Sequence, residues 1–527
     1  MTEFTEQHIV AIDLGTSKIA LIVAKIYGDD VQVVYYKETA SAGIQYSGVS
    51  NMVQACTPLT HLVKDAEEAL NIKINHAVIG MPKWPIRQES NSGKIMDRGD
   101  YTEIMQEDVD NLKRFAQETY PLQSVEREAI YGAVAQSFSD GESFQIKEAD
   151  IVGMSSDVLE GHFKIFIGKK KDLKNADNLL IKTGITSKKK YFTAETTARA
   201  VLTELEMENG VALIDFGGGS TSVTIYHGNI MRHYASIPFG GRNITNDIKT
   251  ELQITERLAE NIKLAYGACM PDKLQSLSEK VLRIEGSTAG QTKEVTVKYL
   301  SEIITARVEE IIQAMLYEIS ESGLAEHLRG GIVITGGASQ TANLGMLIKQ
   351  MSGYNVRIGH PLGMLSCQDI EGINETTAAT SAGLIQAAIE DECMNCAIYD
   401  ETIHTEIETP VEVPVLNEEP VVEIEDEALV EEVSVEEGPA AEEEIDQESY
   451  PEEEEEDDDE EEELEDEAQE DEDDDYDEEL DEDYEDRAKP AMKAGKGENG
   501  GLFRKFKIIW NKLNDDTDNW IEGMSKK

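Results

Sequence analysis

The chain has 527 residues, which is long enough for two or more domains with large cores. Its formal net charge is −59, but residues 401–486 alone contain 48 Asp and Glu and neither Lys nor Arg. Residues 1–400 keep a net charge of −16, which is ordinary for a soluble protein, and we expect no nucleic-acid partner.

No segment reaches the ~18 uncharged apolar residues that a membrane span needs. The first ten residues, MTEFTEQHIV, have neither the basic start nor the apolar run of a secretory signal. The five cysteines are scattered, and the single CxxC at Cys393 and Cys396 is most simply incidental. We therefore expect a reducing, cytoplasmic setting.

Strand-like runs alternate with helical patterns through the first 390 residues, which is typical of an α/β fold. HIVAIDLG and IALIVAKI predict a strand and its hairpin partner, and VALIDFG and SVTIYHG repeat that design. In chain order, the sequence predicts strands at 8–15 and 19–26, a helix at 61–70, a strand at 76–80, a helix at 107–118, strands at 162–168, 211–217 and 222–228, helices at 255–266 and 299–320, and a strand at 331–337.

Two similar phrases lie about 200 residues apart: IDLGTSK at 12–18 and IDFGGGSTS at 214–222. Each has an apolar strand, an aspartate, a glycine-containing turn, hydroxyl side chains and a second strand. This repetition predicts two related halves that face each other.

The glycine turns indicate a phosphate site. Backbone N–H groups in a tight glycine turn form a cradle for anions, and hydroxyls add donors. A carboxylate repels phosphate unless a divalent cation lies between them, so Asp13 and Asp215 are predicted to hold Mg²⁺ through water. A Gly-rich hairpin without a ligand is the alternative. The chain has neither GxxxxGK[ST] nor a strand-to-helix GxGxxG, which excludes the Walker and Rossmann classes.

AIDLGTSK and ALIDFGGGSTSVTIY resemble the two phosphate motifs of the actin-like ATPases, and GIVITGGASQTANL at 331–344 resembles their adenosine motif. AENIKLAYG at 259–267 is similar to the helix that places a Glu and a Lys beside the ribose and adenine. The resemblance implies an actin-like two-lobed α/β fold and ATP bound by Gly15, Thr16, Ser17, Lys18, Gly217, Gly218, Gly219, Ser220, Thr221, Glu260, Lys263, Gly336, Gly337 and Ala338.

Within this superfamily the chain resembles the FtsA family of bacterial cell division proteins. The resemblance rests on the segment 82–164 with DIVGMSS, on IPFGGRNITNDI at 237–248, on LSEIITARVEEII at 300–312 and on the basic helical pattern near the end. It implies self-association into filaments and binding of the C-terminal tail of FtsZ, with Arg307 as a contact. Alternatively, Arg307 forms a salt bridge along 299–320. Ser222 departs from the family, where an acidic residue is common.

The resemblance also implies a domain plan with an extra inserted subdomain. The expected segments are 1–81 with 165–205 and 360–395 as the actin-like subdomain of the first lobe, 82–164 as the inserted FtsA-type subdomain, 206–245 with 320–359 as the core of the second lobe, 246–319 as its outer subdomain, 397–498 as a disordered acidic linker and 499–514 as a membrane-targeting amphipathic helix.

Hydrolysis would need a polar residue that orients water at the terminal phosphate. Asp13 and Asp215 are candidates because they could organise the metal and its waters. Glu195 is a third candidate, since it aligns with the Glu of the EP-x-AA motif in MreB-like relatives. Glu195 is alternatively an ordinary carboxylate at a helix N-terminus. Lys18 either neutralises phosphate charge or points to solvent. We expect ATP binding with slow hydrolysis at most.

The sequence near the C-terminus recovers helical periodicity after the acidic segment, which is too charged to fold. The apolar stripe suits a membrane surface and the basic side chains suit anionic lipid headgroups, with a partner groove as the alternative. The acidic segment is expected either to space the head from the bilayer or to fold back and mask the helix. The membrane residues are Leu502, Phe503, Phe506, Ile509, Trp510 and Leu513 with Arg504, Lys505, Lys507 and Lys512.

These observations together predict an ATP-binding division protein that polymerises on the cytoplasmic side of the cell membrane, at the division site, and tethers FtsZ filaments there. Other division proteins are possible further partners. A PilM-like assembly protein and a small-molecule kinase of the same superfold remain alternatives. The PilM-like alternative leaves the terminal helix unexplained, whereas phosphorylation of a small substrate would favour the kinase.

Overall fold

A computed structural model describes residues 7–27, 30–96, 102–285, 292–363, 366–367 and 370–399. The predicted membrane helix at 499–514, with its ten apolar and basic residues, lies outside the described residues, as does the predicted linker from residue 400 onward. The start of that linker at 397 is wrong, because Ala397–Tyr399 form a strand that pairs with Ile72–Ile74.

The first part of the chain alternates strands and helices as the sequence predicts. In order, it contains β1 (Gln7–Leu14), β2 (Lys18–Tyr27), β3 (Asp30–Ala40), β4 (Ile44–Gln45), β5 (Gly48–Val49), α1 (Met52–Leu70), β6 (Ile72–Ile74), β7 (His76–Gly80), β8 (Arg87–Ile95), α2 (Gln106–Thr119), β9 (Glu128–Ser139), α3 (Glu148–Ile151), β10 (Leu159–Lys169), α4 (Lys170–Lys182), β11 (Thr186–Tyr191), α5 (Thr193–Val201) and α6 (Glu204–Asn209).

The second part continues with the other half of the repeated design. It contains β12 (Val211–Phe216), β13 (Thr221–His227), β14 (Ile230–Ile237), α7 (Gly241–Leu252), α8 (Glu256–Tyr266), β15 (Val281–Glu285), β16 (Thr292–Thr296), α9 (Val297–Glu321), β17 (Ile332–Thr335), α10 (Leu344–Ser352), β18 (Val356–Ile358), β19 (Ser366–Cys367), α11 (Ala379–Glu390) and β20 (Ala397–Tyr399).

Helix α1 is longer than the periodicity predicted. It begins at Met52 rather than near residue 61, because the Asn51 side chain caps it by accepting from the backbone N–H groups of Val53 and Gln54 at 3.1 and 3.2 Å. Pro58 lies inside the helix, a residue that usually ends or kinks one.

The two large sheets have the same plan. Their strand orders are β11-β7-β1-β2-β3-β19 and β14-β13-β12-β17-β18. In each, three consecutive strands form an antiparallel meander (β1–β2–β3 and β12–β13–β14). The first strand of each meander then pairs in parallel with a later strand, β7 or β17. The two aspartate motifs, at 12–18 and 214–222, therefore occupy equivalent positions in two sheets of the same topology, as expected for two related halves.

Helices bury both faces of the first sheet. Val10 and Ile12 of β1 pack with residues of α1 and α4, such as Leu59 and Leu179. Ile9 and Ala11, which point to the opposite face, pack with residues of α11. A strand covered on both sides reads as a continuous apolar run, which is why HIVAI was recognisable from sequence. In the described ranges, no helix has the length and apolar character to cross a lipid bilayer.

A separate three-stranded antiparallel sheet, in the order β8-β10-β9, lies between the strands of the first large sheet in sequence. Helix α2 covers it with Val109, Leu112 and Ala116. The predicted end of the inserted segment at 164 falls inside β10, and the predicted boundaries at 205, 245 and 319 fall inside α6, α7 and α9. These boundaries are wrong because a strand or a helix continues through each of them; the wider domain plan remains a prediction.

Candidate functional site

Two glycine turns meet at one place in the fold. The first joins β1 to β2, and the second joins β12 to β13. A Cβ atom on Gly218 would lie 2.0 Å from Ser17 Oγ, and one on Gly219 would lie 2.7 Å from Thr16 Oγ1. Since side chains at these positions would collide, glycine is what allows the two turns to touch.

A cavity of about 410 Å³ opens between these turns. It is lined by nearly all the residues that the sequence singled out for nucleotide binding. They are Asp13, Gly15, Thr16, Ser17, Lys18, Asp215, Gly217, Gly218, Gly219, Ser220, Glu260, Lys263, Gly336, Gly337 and Ala338. The geometry therefore brings the predicted site together, although their roles toward a ligand remain predictions.

Asp13 and Asp215 share the cavity with a lysine that sequence reasoning missed. Lys83 Nζ forms a short ion pair with Asp215 Oδ2 and donates to Thr380 Oγ1 at 3.3 Å. Burial raises the pKa of Asp13, although the charges of Lys83 and Lys18 oppose that rise. Burial alone would lower the pKa of Lys83, but the charges of Asp215 and Asp13 outweigh it and raise that pKa overall.

The position of Lys83 follows from sheet topology. Strand β7 runs parallel to β1 with Ile79 opposite Ile12, so the carboxyl end of β7 adjoins Asp13. The chain continues from that end as Met81, Pro82 and Lys83. Because ligand sites in α/β sheets form at the carboxyl ends of parallel strands, the lysine after HAVIG was the available signal.

Lys18 lines the cavity and also has a protein partner. Its ammonium forms a short ion pair with Glu38 and lies 3.3 Å from the Tyr36 hydroxyl. Burial lowers the pKa of Lys18, and the Glu38 carboxylate opposes that effect. Lys18 therefore lies at the cavity wall rather than free in solvent, and its contact with phosphate remains a prediction.

Glu260 and Lys263 lie together on helix α8, as their spacing of one turn required. Lys263 Nζ lies 2.7 Å from Glu260 Oε2, and it donates to the Gly241 carbonyl at 3.2 Å and to Thr245 Oγ1 at 2.9 Å. These bonds tie α8 to the first turns of α7, beside the second glycine turn. Leu264, 74% exposed, lines the same side of the cavity.

The third glycine motif follows β17, which runs parallel to β12 with Thr335 opposite Asp215. Gly336 has a φ of +87°, and a Cβ there would lie 2.6 Å from both Asp215 Oδ1 and the Phe216 carbonyl oxygen. The backbone thus packs directly against the aspartate, at a position that accepts only glycine without strain.

Two predicted site residues do not line the cavity. Thr221 begins strand β13 and is fully buried, where its hydroxyl donates to the Phe239 carbonyl at 2.8 Å. The turn ends at Ser220, so the alternation of the strand directs Thr221 away. Glu195 lies in the first turn of α5 and pairs with Arg199 at 2.8 Å, as an ordinary helix carboxylate does. The structure therefore places neither side chain at this cavity, and their roles toward a ligand stay predictions.

The carboxylates suit magnesium better than a metal held by protein ligands alone. Within the described ranges, no group of three or more His, Cys, Asp and Glu side chains could hold a metal ion. Mg²⁺ typically uses one or two carboxylates and completes its shell with water and phosphate oxygens. Asp13 and Asp215 beside two glycine turns fit that pattern, which the cradle between Gly218 and Ser17 supports.

Arg307 forms the salt bridge that was the alternative to a partner contact. Its Nε and Nη2 atoms lie 2.5 and 3.0 Å from the two carboxylate oxygens of Asp247, and its Nη1 lies 2.7 Å from Glu310 Oε2. The hydrogen bonds with Asp247 raise the pKa of Arg307. The bidentate ion pair with Asp247 links α9 to α7. The contact of Arg307 with FtsZ stays a prediction.

A double-mutant cycle with Arg307→Ala and Asp247→Ala should show a coupling of about 1 kcal/mol in the free energy of unfolding, because the pair is two-pronged and only partly exposed. Urea unfolding of the wild type, both single variants and the double variant measures it. Arg283→Ala and Glu294→Ala, a pair with exposed side chains, provide the control cycle and should show less. Additive effects at 307 and 247 would contradict the structural role.

Residues 212–383 match the family model described as Cell division protein FtsA. The chain is 29% identical over 394 residues to the Cell division protein FtsA of Neisseria meningitidis, with 74% of this chain and 92% of that protein covered. It is 25% identical over 387 residues to the FtsA of Escherichia coli, covering 72% and 89%. The chain is therefore similar to cell division proteins named FtsA over about three quarters of its length.

A likeness to a solved structure shows the fold of the chain. The PilM-PilN type IV pilus biogenesis complex contains a chain that matches with a TM-score of 0.52 at 12% identity, covering 72% of this chain and 98% of that one. At that identity the match concerns architecture alone. The fold is the actin-like α/β fold, and the motifs of the FtsA family lie on it in the expected order.

Proposed function

We propose that this chain is an ATP-binding cell division protein that assembles on the cytoplasmic face of the cell membrane and links FtsZ filaments to it. The observation that carries the proposal is the meeting of two glycine turns and two aspartates around one cavity. Relatives described as cell division proteins, matched over most of their length, support the division role.

The cavity residues divide by position into three groups with different tasks. The backbone of the two glycine turns, with Ser17 and Ser220, would hold phosphate oxygens. Glu260 and Lys263 on α8 would contact the ribose and adenine, while the backbone after Gly336 would lie against the nucleoside. Asp13 and Asp215 would orient water around Mg²⁺, which supplies charge neutralisation when bound.

Hydrolysis is proposed to be slow. Among the described residues that line the cavity, the carboxylates are Asp13, Asp215 and Glu260. The first two are assigned to the metal, and the third is bonded to Lys263 and Thr245. No further carboxylate of this lining is left to orient an attacking water directly, since Glu195 lies elsewhere.

Sedimentation of the full-length chain with vesicles that contain anionic lipid tests the proposal. The chain should pellet with vesicles, its assembly should differ between ATP, ADP and no nucleotide, and FtsZ filaments should join the pellet only when this chain is present. Vesicles of neutral lipid and filaments of FtsZ without its C-terminal tail are the controls. A chain that binds ATP but brings no FtsZ to vesicles would refute the tethering role, and phosphate transfer to a small substrate would favour a kinase.

A further inference from the structure

The connection that follows β7 places a lysine ammonium against Asp215, in the cavity that Asp13 also lines. Lys83 is 14% exposed at its side chain and forms an ion pair with Asp215, which is 9% exposed. It lines the same cavity as the glycine turns. Because this ion pair lies so close to the glycine turns, its two charges would interact with any anion or cation bound in the cavity.

The backbone around Lys83 is held by both halves of the fold. The Lys83 carbonyl accepts a hydrogen bond from the Tyr234 hydroxyl of β14 at 2.7 Å. Two residues earlier, the Met81 carbonyl accepts from the Thr193 hydroxyl of α5, and the Met81 N–H donates to the Tyr191 carbonyl at 2.8 Å. The main chain is therefore fixed, whereas the four-carbon stem of the lysine leaves its ammonium free to change partner.

The Lys83 ammonium and a divalent cation would compete for the carboxylates of Asp13 and Asp215. Asp13 and Asp215 carry two negative charges when ionised, and Lys83 offsets one of them. A divalent cation near the same carboxylates would be repelled by the Lys83 ammonium. A terminal phosphate between the turns would instead attract it. Entry of the cation favours transfer of the ammonium from Asp215 to phosphate oxygen.

We propose that Lys83 is a movable counter-charge, which neutralises the two aspartates in the absence of a divalent cation and pairs with the terminal phosphate of the nucleotide when the cation is bound. This proposal rests on the proposed nucleotide site. It assigns Lys83 two effects of opposite sign. The lysine weakens binding of a divalent cation alone. It strengthens binding of a triphosphate, without the cation by offsetting the aspartates that repel the phosphate, and with the cation by pairing with the phosphate itself.

The test compares full-length wild type with Lys83→Met and Lys83→Arg. Calorimetry measures the affinity for ATP and ADP in chelator and in Mg²⁺, and electron paramagnetic resonance measures binding of Mn²⁺ alone. In Lys83→Met the ATP affinity in chelator should fall about tenfold or more, because no ammonium then offsets the two aspartates that repel the triphosphate. ADP affinity should fall less, and Mn²⁺ should bind several-fold more tightly. Lys83→Arg should stay near the wild type.

Lys73→Met is the matched control, since Lys73 pairs at 2.9 Å with Glu67, a carboxylate as buried as Asp215, outside the cavity. It should change neither affinity. Unaltered Mn²⁺ and ATP binding in Lys83→Met would overturn the proposal. A loss of both would also overturn it, because damage to the fold alone weakens binding of both ligands. If Lys83→Met does not fold, Lys83→Gln carries the same comparison. A wild type that binds no ATP would refute the nucleotide site, while the Mn²⁺ measurement still tests Lys83.

Discussion

Alanine at position 336 should abolish tight nucleotide binding and destabilise the fold, whereas alanine at position 353 should only destabilise it. Both glycines have positive φ, +87° and +76°, so each substitution strains the backbone by about 1–2 kcal/mol. At Gly336 the new Cβ also meets Asp215 Oδ1 and the Phe216 carbonyl, both at 2.6 Å. That overlap should add about 1–3 kcal/mol.

Comparing Gly336→Ala with Gly353→Ala separates the effect of the new Cβ contacts from the cost of the strained backbone. Around Gly353 nothing lies within 4 Å of the added atom, so this control reports the backbone cost alone. To make room at 336, either β17 or the aspartate must shift, and the cavity wall shifts with it. Chemical denaturation gives the two stabilities, and calorimetry with ATP and Mg²⁺ should show at least a tenfold loss for Gly336→Ala only. Equal ATP affinities would contradict the placement of Gly336 in the site.

The paired aspartate turns could be predicted because the pattern that encodes them is local. HIVAIDLG and VALIDFG are apolar runs that end at an aspartate and a glycine, and strands buried on both faces have no polar alternation to obscure them. Both became central strands of equivalent sheets, with Asp13 and Asp215 at one cavity. Their meeting was expected from the repetition of the pattern, since two related halves that face each other bring equivalent turns together.

Lys83 shows what a local pattern does not encode. Its role depends on the parallel pairing of β7 with β1, two strands separated by more than sixty residues. The sequence around it, GMPKWP, carries no glycine cradle and no repeat. The lysine could be found only by asking which residue follows the strand that neighbours Asp13, a question that needs the strand order first.

The two predicted site residues that do not line the cavity have something in common. Thr221 and Glu195 were placed in the site by alignment with motifs, without the direction of the side chain. At Thr221 the turn has already become a strand, which sends alternate side chains to opposite faces. At Glu195 an arginine one helical turn away was a sufficient partner, and Arg199 also bridges to Glu390 of α11. A residue's position in a motif therefore does not by itself show that its side chain lines the cavity.

Trp510→Glu should abolish binding to vesicles that contain anionic lipid. In the predicted amphipathic helix Trp510 shares the apolar stripe with Phe506, and withdrawal of one large apolar side chain from the interface costs about 1.5–3 kcal/mol. The introduced carboxylate costs on the order of a further 1 kcal/mol near an anionic surface. Together these correspond to roughly a hundredfold or greater loss of lipid affinity.

Trp520→Glu makes the same chemical change outside the predicted helix at 499–514 and serves as the control. Vesicle flotation should separate the two variants, with Trp520→Glu close to the wild type. Because the change lies far along the chain from the cavity residues, ATP affinity should be the same in both. If the two tryptophan variants lose lipid binding equally, the surface that meets the membrane extends beyond 499–514. If neither variant loses it, the apolar stripe binds a partner groove instead, and the link between this chain and the bilayer must lie elsewhere.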